Sequence, residues 1–120
     1  MIELLIVIVI IGILAAIAIP NFTSTKEKAY ISTMKGDLRN LATAQESYIA
    51  DASTYYNGAV PAAVLVYSPS QGVTITIAEG TDKGWAATAS SVGTTHTCAI
   101  FYGNATPPAP ATVEGLVACT

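Results

Sequence analysis

Residues 1–20 read MIELLIVIVIIGILAAIAIP. From Leu4 to Ile19 the run is apolar without a break, and one carboxylate, Glu3, stands at its leading edge. At a rise of about 1.5 Å per residue, a helix over residues 2–19 is roughly 27 Å long, close to a hydrocarbon core of about 30 Å. A helix satisfies its own backbone groups in such a layer, so the modest helix propensity of Ile and Val matters little there. The acid is the problem, because a lone carboxylate in hydrocarbon is costly unless paired.

Three readings compete for this stretch. A secretory signal peptide would use Ala16-Ile17-Ala18 as a cleavage site, but Glu3 stands where a basic n-region belongs and the apolar run is long. A plain membrane anchor would leave Glu3 incidental at the interface. A polymerising helix would leave the membrane, pack against copies of itself, and pair Glu3 with a positive group on a neighbour.

Gly12 and Pro20 bracket the second half of the run. Glycine inside a helix costs about 1 kcal/mol relative to alanine. Proline removes an N–H, clashes with the preceding turn and costs about 3 kcal/mol. An interruption somewhere in Gly12–Pro20 is therefore expected. Beyond it, NFTSTKEKAYISTMKGDLRNLATAQESYIADA places Ile31, Met34, Leu38, Leu41, Tyr48, Ile49 and Ala52 at helical three-and-four spacing. That periodicity predicts an amphipathic helix over 21–54, ending near Asp51–Thr54 before the turn-prone YYNG. Lys35 and Arg39 lie one turn apart. They form either a solvated face or a contact for acids of another copy, with Asp37, Asp51, Glu79 and Asp82 as candidates.

Residues 55–120 read as a small sheet. Val73–Ala78 alternates clearly, EGTDKG at 79–84 is a hairpin turn, and Trp85–Ser90 and Thr97–Tyr102 return. Ala63–Tyr67 is a fourth extended candidate. A meander of three or four antiparallel strands on the helix follows, with Leu38, Trp85 and Ile100 in its core. Cys98 and Cys119 are the only cysteines, and behind an export-like start they suggest one disulfide closing the proline-containing tail. The fold class is thus α+β: a long N-terminal helix, interrupted near Gly12–Pro20, packed on a small antiparallel sheet. Three segments are expected: residues 1–20, a hydrophobic polymerisation or transmembrane helix; 21–54, amphipathic; and 55–120, the sheet with its closed tail.

Composition narrows the function. Five basic against eight acidic residues give a net charge of −3, which argues against nucleic acid as a partner. His96 has no Cys, Asp or Glu at metal-ligand spacing and reads as a solvent-facing imidazole flanking a strand. Asp82 in GTDKG falls short of a calcium shell. No phosphate-binding loop and no nucleophile elbow occur. No enzyme, metal or cofactor is expected. Phe22, Tyr30, Tyr48, Tyr55 and Tyr56 read as packing residues. Asn21-Phe22-Thr23 and Asn104-Ala105-Thr106 match the glycosylation pattern, which is frequent by chance.

Glu3 through Pro20, ELLIVIVIIGILAAIAIP, resembles the N-terminal helix of type IV pilins and the related pseudopilins. The likeness combines an acid, an apolar run, a glycine and a proline at that family's spacing; it weakens toward Tyr48 and fades beyond. It implies a helical homopolymer, the major subunit of a type IV pilus, built through Glu3, Gly12 and Pro20, with the Gly12–Pro20 segment unwound in the filament. It implies an inner-membrane stage before assembly, and a prepilin peptidase and pilus assembly machinery as partners. It also implies cleavage after a glycine and an N-methylated residue, usually Phe, four positions before the glutamate. Only Met1 and Ile2 stand before Glu3, so two further residues are expected ahead of Met1. A disulfide-closed C-terminal loop, here Cys98 with Cys119, agrees with the resemblance. The alternative is a major pseudopilin of a type II secretion system. The lack of a carboxylate-rich calcium loop, expected in that group, favours the pilin. A monomeric membrane-anchored binding module is a third class, and it would leave Glu3 without a partner.

Overall fold

In the computed structural model, side chains are described for residues 1–17 and 24–120, and the helix assignment runs through the residues between. A single helix, α1 (Ile2–Ala52), leads into four strands: β1 (Val73–Gly80), β2 (Gly84–Ser91), β3 (Thr97–Gly103) and β4 (Ala118–Cys119). Fifty-one helical residues at about 1.5 Å each span roughly 77 Å, and the molecule measures 77 × 28 × 18 Å. The helix therefore sets the length of the whole protein.

The expected interruption does not appear as a break in α1: Gly12 is helical, and the element is continuous from Ile2 to Ala52. A glycine lowers helix stability without removing a hydrogen bond, so the flanking Ile and Leu residues carry the helix through it. Pro20 lies outside the residues whose side chains are described. The helix ends where Ser53 turns left-handed, at φ 62°, and returns its N–H to the Ile49 carbonyl at 2.9 Å.

Only the second half of α1 meets the sheet. Met34, Leu38, Leu41 and Gln45 form its buried row, each about one turn from the next. Facing them, Val73, Ile75 and Ile77 alternate inward along β1. Trp85, Ala87 and Ala89 do the same on β2, and Cys98 and Ile100 on β3. The strands form an antiparallel meander in the order β1-β2-β3-β4. The pairing of β1 with β2 shifts between Ile77 and Glu79, the signature of a bulge.

The opposite face of the sheet is covered too. Ala86, Ala99 and Phe101 pack against Ala105 and Ala111 of the tail, which makes β2 buried on both sides. At the sharp exit from β3, Gly103 has φ +67°, and a Cβ there would run into the Lys83 carbonyl. Only glycine fits this corner.

Two strand expectations change. Ala63–Tyr67 is not a strand: Ala62 and Tyr67 make one isolated bridge, and Val66 returns its N–H to the Ala63 carbonyl at 3.2 Å with φ 53°. The segment folds on itself, sending Leu65 into the core and leaving Val64 and Val66 exposed. The fourth strand is instead Ala118–Cys119, paired with Ala99 and Cys98. The Cys98–Cys119 disulfide joins that same pair across the ladder.

A covalent link closing about twenty residues contributes roughly 3 kcal/mol in the chain-entropy model. Reducing the disulfide should free β4 and the tail while leaving α1 intact. Limited proteolysis with and without reductant checks this, with far-UV circular dichroism recorded in parallel. New cleavages confined to residues 104–120, with an unchanged helical signal, are the expected result.

Two buried polar side chains fasten the connection between α1 and β1. Gln45, fully buried, donates to the Tyr56 carbonyl at 3.0 Å and accepts from the Tyr56 N–H at 2.8 Å. Asp37, 5% exposed, accepts from the N–H and hydroxyl of Ser70 at 3.1 and 2.8 Å. The Tyr67 hydroxyl donates to the Asp37 carbonyl at 2.8 Å. Burial first, and the Asp37 charge second, push the Tyr67 phenol well above its ordinary value of 10. Because the folded value is the higher one, this stabilisation is complete below about pH 10 and is lost as pH rises further. Tyr67→Phe should therefore flatten the fall in melting temperature between pH 9 and 11 relative to the parent protein. An identical fall in both would count against it.

Candidate assembly surface

Residues 1–17 are exposed along their whole length. Twelve Ile, Leu and Val side chains between Ile2 and Ile17 are each 51–73% exposed, an apolar sleeve about 24 Å long. Each would gain on the order of 1 kcal/mol or more on burial. Soluble monomers rarely display a patch of this size, and such patches mark protein or membrane contacts. The sleeve is apolar on every side, so it suits a position surrounded by partners rather than one face of a dimer.

Glu3 is exposed at the tip of the sleeve. Among the described residues its carboxylate has no hydrogen bond or ion pair. Gly12 lies inside the sleeve, and a Cβ added there would meet nothing within 4 Å. The lone chain therefore gives neither residue a packing role. Among the described residues, no helix is long and apolar enough to cross a membrane.

The candidate charge contacts sort differently from expectation. Asp37 and Glu79 were candidate acids for Lys35 and Arg39 of another copy. Asp37 is buried against Ser70, and Glu79 accepts the Thr106 N–H at 2.9 Å. Asp51 and Asp82 remain exposed and, among the described residues, without a hydrogen bond or ion pair. His96 does more than face solvent. Its Nδ1 is 2.8 Å from the Thr120 carbonyl, and its Nε2 is 3.8 Å from the Glu27 carboxylate, so it ties α1, the β2–β3 loop and the tail together. Just above it, Tyr30 lies over Gly93, where any side chain would collide with the phenol ring. Long-range ties such as Asp37, Gln45 and His96 carry no local sequence signal, because their partners lie 11 to 69 residues away.

A groove of about 330 Å³ runs between α1 and the tail, lined by Arg39, Thr43, Glu46, Ile100, Tyr102 and Gly115. Its one carboxylate, Glu46, accepts the Tyr55 hydroxyl at 3.0 Å. Among the described residues, no group of His, Cys, Asp and Glu could hold a metal ion.

No protein-family model matches the chain. Among characterised proteins, it is 49% identical over 55 residues to the type IV major pilin of Myxococcus xanthus, covering 46% of this chain and 25% of that one. It is 34% identical over 70 residues to the type II secretion system core protein G of Pseudomonas aeruginosa, covering 58% of this chain and 49% of that one. The corresponding protein of Klebsiella pneumoniae is 37% identical over 70 residues, with 58% and 50% covered. The chain thus spans a quarter to a half of the length of these curated relatives. With a bare apolar helix leading into an α+β head, and relatives in both groups, the chain is similar to type IV pilins and to type II secretion pseudopilins.

Proposed function

We propose that this protein is the major structural subunit of a type IV pilus, polymerised through the N-terminal half of α1, and that it has no enzymatic role. The observation that carries this reading is the apolar sleeve, exposed all round and tipped by an unpaired Glu3. Before assembly the sleeve rests in the inner membrane, where a prepilin peptidase processes the chain. The assembly machinery then draws it into the filament core. There Glu3 pairs with the α-amino group of a neighbouring copy, relieving two buried charges at once. Around Gly12 and Pro20 the helix unwinds, which is tolerated because the freed backbone is enclosed by protein rather than lipid. The greater identity to the major pilin, 49% against 34% and 37%, supports this role.

The longer matches to core protein G, 70 residues against 55, support a second reading as a major pseudopilin. The two separate by experiment. Filaments sheared from the cell surface should contain this chain as their main component, by electron microscopy and mass spectrometry. Absence of surface filaments, together with loss of protein secretion on deletion, would overturn the pilus reading in favour of the pseudopilin.

A further inference from the structure

The middle of α1 carries three cations that nothing among the described residues neutralises. Lys28, Lys35 and Arg39 follow one another at i, i+7 and i+11, which at about 3.6 residues per turn makes one stripe along the helix. Lys28 and Arg39 are exposed and Lys35 is half-buried. Among the described residues none of the three has an ion-pair partner. The carboxylates that could have served are occupied. Glu27 faces His96, Glu46 holds the Tyr55 hydroxyl, and Glu114 accepts the Gly103 N–H at 2.7 Å. Asp37 and Glu79 are engaged as described above.

Beyond the apolar sleeve, Asp51 and Asp82 alone remain exposed without a hydrogen-bond partner among the described residues. Both lie at the far end of the molecule. Asp51 is in the last turn of α1, and the turn holding Asp82 sits beside it, because Thr81 accepts the Tyr55 N–H at 2.9 Å. Around the helix, the cationic stripe lies roughly a third of a turn to one side of the buried Met34–Leu38–Leu41–Gln45 row. Asp51 lies about as far to the other side. The two charges thus occupy opposite flanks at different heights. Along the axis Asp51 stands about 18 Å beyond Arg39 and about 35 Å beyond Lys28.

We infer that the heads of neighbouring copies contact one another through this pair of flanks, with Lys28, Lys35 and Arg39 of one copy against Asp51 and Asp82 of the next. This rests on the homopolymer reading above and names the lateral contact within it. The two surfaces differ, so the contact is heterologous. Their offset of about 18–35 Å along the axis means that repetition yields an open helix rather than a closed ring. Opposite charges brought into register favour this stagger over those that leave the cations unpaired.

Charge reversal in the full-length protein tests this, reading sheared-filament yield alongside cellular protein level and an intact disulfide. Lys35→Glu with Arg39→Glu should cut the yield at least tenfold at unchanged protein level, and Asp51→Lys with Asp82→Lys should do the same. The four changes combined should recover filaments to within a few-fold of the parent. A parent yield from either reversed pair, or a combination no better than the worse pair, overturns the contact while leaving the pilus reading standing. Absence of filaments from the parent protein overturns both.

Discussion

Trp85→Ala is expected to remove about 3–5 kcal/mol from the stability of the head, out of a total of about 5–15 kcal/mol for a domain of this kind. Trp85 is fully buried on β2. Its ring stacks on Tyr102 with centroids 5.4 Å apart and planes 26° apart, and Tyr55 closes over it at 6.5 Å. Tyr102 comes from the adjacent strand and Tyr55 from the connection after α1, so one side chain joins three parts of the fold. Its removal leaves a cavity that a helix on one face and a disulfide-tied ladder on the other cannot fill by collapsing. Denaturant unfolding followed by tyrosine fluorescence should show the midpoint falling with little change in slope. Trp85→Phe should cost far less. It keeps a ring against Tyr102 and removes the indole N–H, the one buried side-chain donor or acceptor among the described residues that has no partner. An alanine variant within 1 kcal/mol of the parent would show that the core is not centred on this residue.

The periodic parts of the fold were legible because their signal is local. Val73, Ile75 and Ile77 alternate in sequence and alternate in space. Leu38, Trp85 and Ile100 are all buried where the pattern put them. Ala63–Tyr67 misled because an apolar run of five looks the same whether it pairs with a neighbour or turns on itself, and only Val66 at φ 53° decides between them. β4 was missed because two residues carry no period at all; its place is set by the Cys98–Cys119 link and by pairing with a strand some twenty residues earlier. The second small core, Phe101 with Ala105 and Ala111, is built largely from alanines, which give no hydrophobic stripe to read. At the tip of the sleeve, the sequence singles out Glu3 because an acid at the head of an apolar run is costly without a partner, and the lone chain leaves it exposed. What was not legible is which cations and acids the fold itself consumes. Asp37 reads as a surface acid on a helix, and only the tertiary structure places Ser70 against it.

Glu3→Gln should abolish filaments, lowering the yield of sheared material by at least about a hundredfold, while leaving the head as stable as before. The substitution keeps the size of the side chain and removes only its charge, so a loss reports on charge pairing rather than packing. The energy available is sufficient: a carboxylate at membrane depth costs several kcal/mol unless paired, and about 2.7 kcal/mol already corresponds to a hundredfold change in an equilibrium constant. Under the proposed pairing, a subunit entering in the wrong register would strand Glu3 and a neighbour's amino group together, and only the correct register would relieve both. With glutamine at this position every register costs nearly the same, and the twelve aliphatic side chains around it supply adhesion without direction. Stability should not change, because Met34, the first fully buried core residue, lies 31 residues further along α1, roughly 46 Å away. Detergent-solubilised parent and variant should therefore melt within about 1 °C of each other. Equal melting with no filaments establishes Glu3 as the residue that sets assembly register, whereas filaments at the parent yield would show that the sleeve polymerises by hydrophobic contact alone.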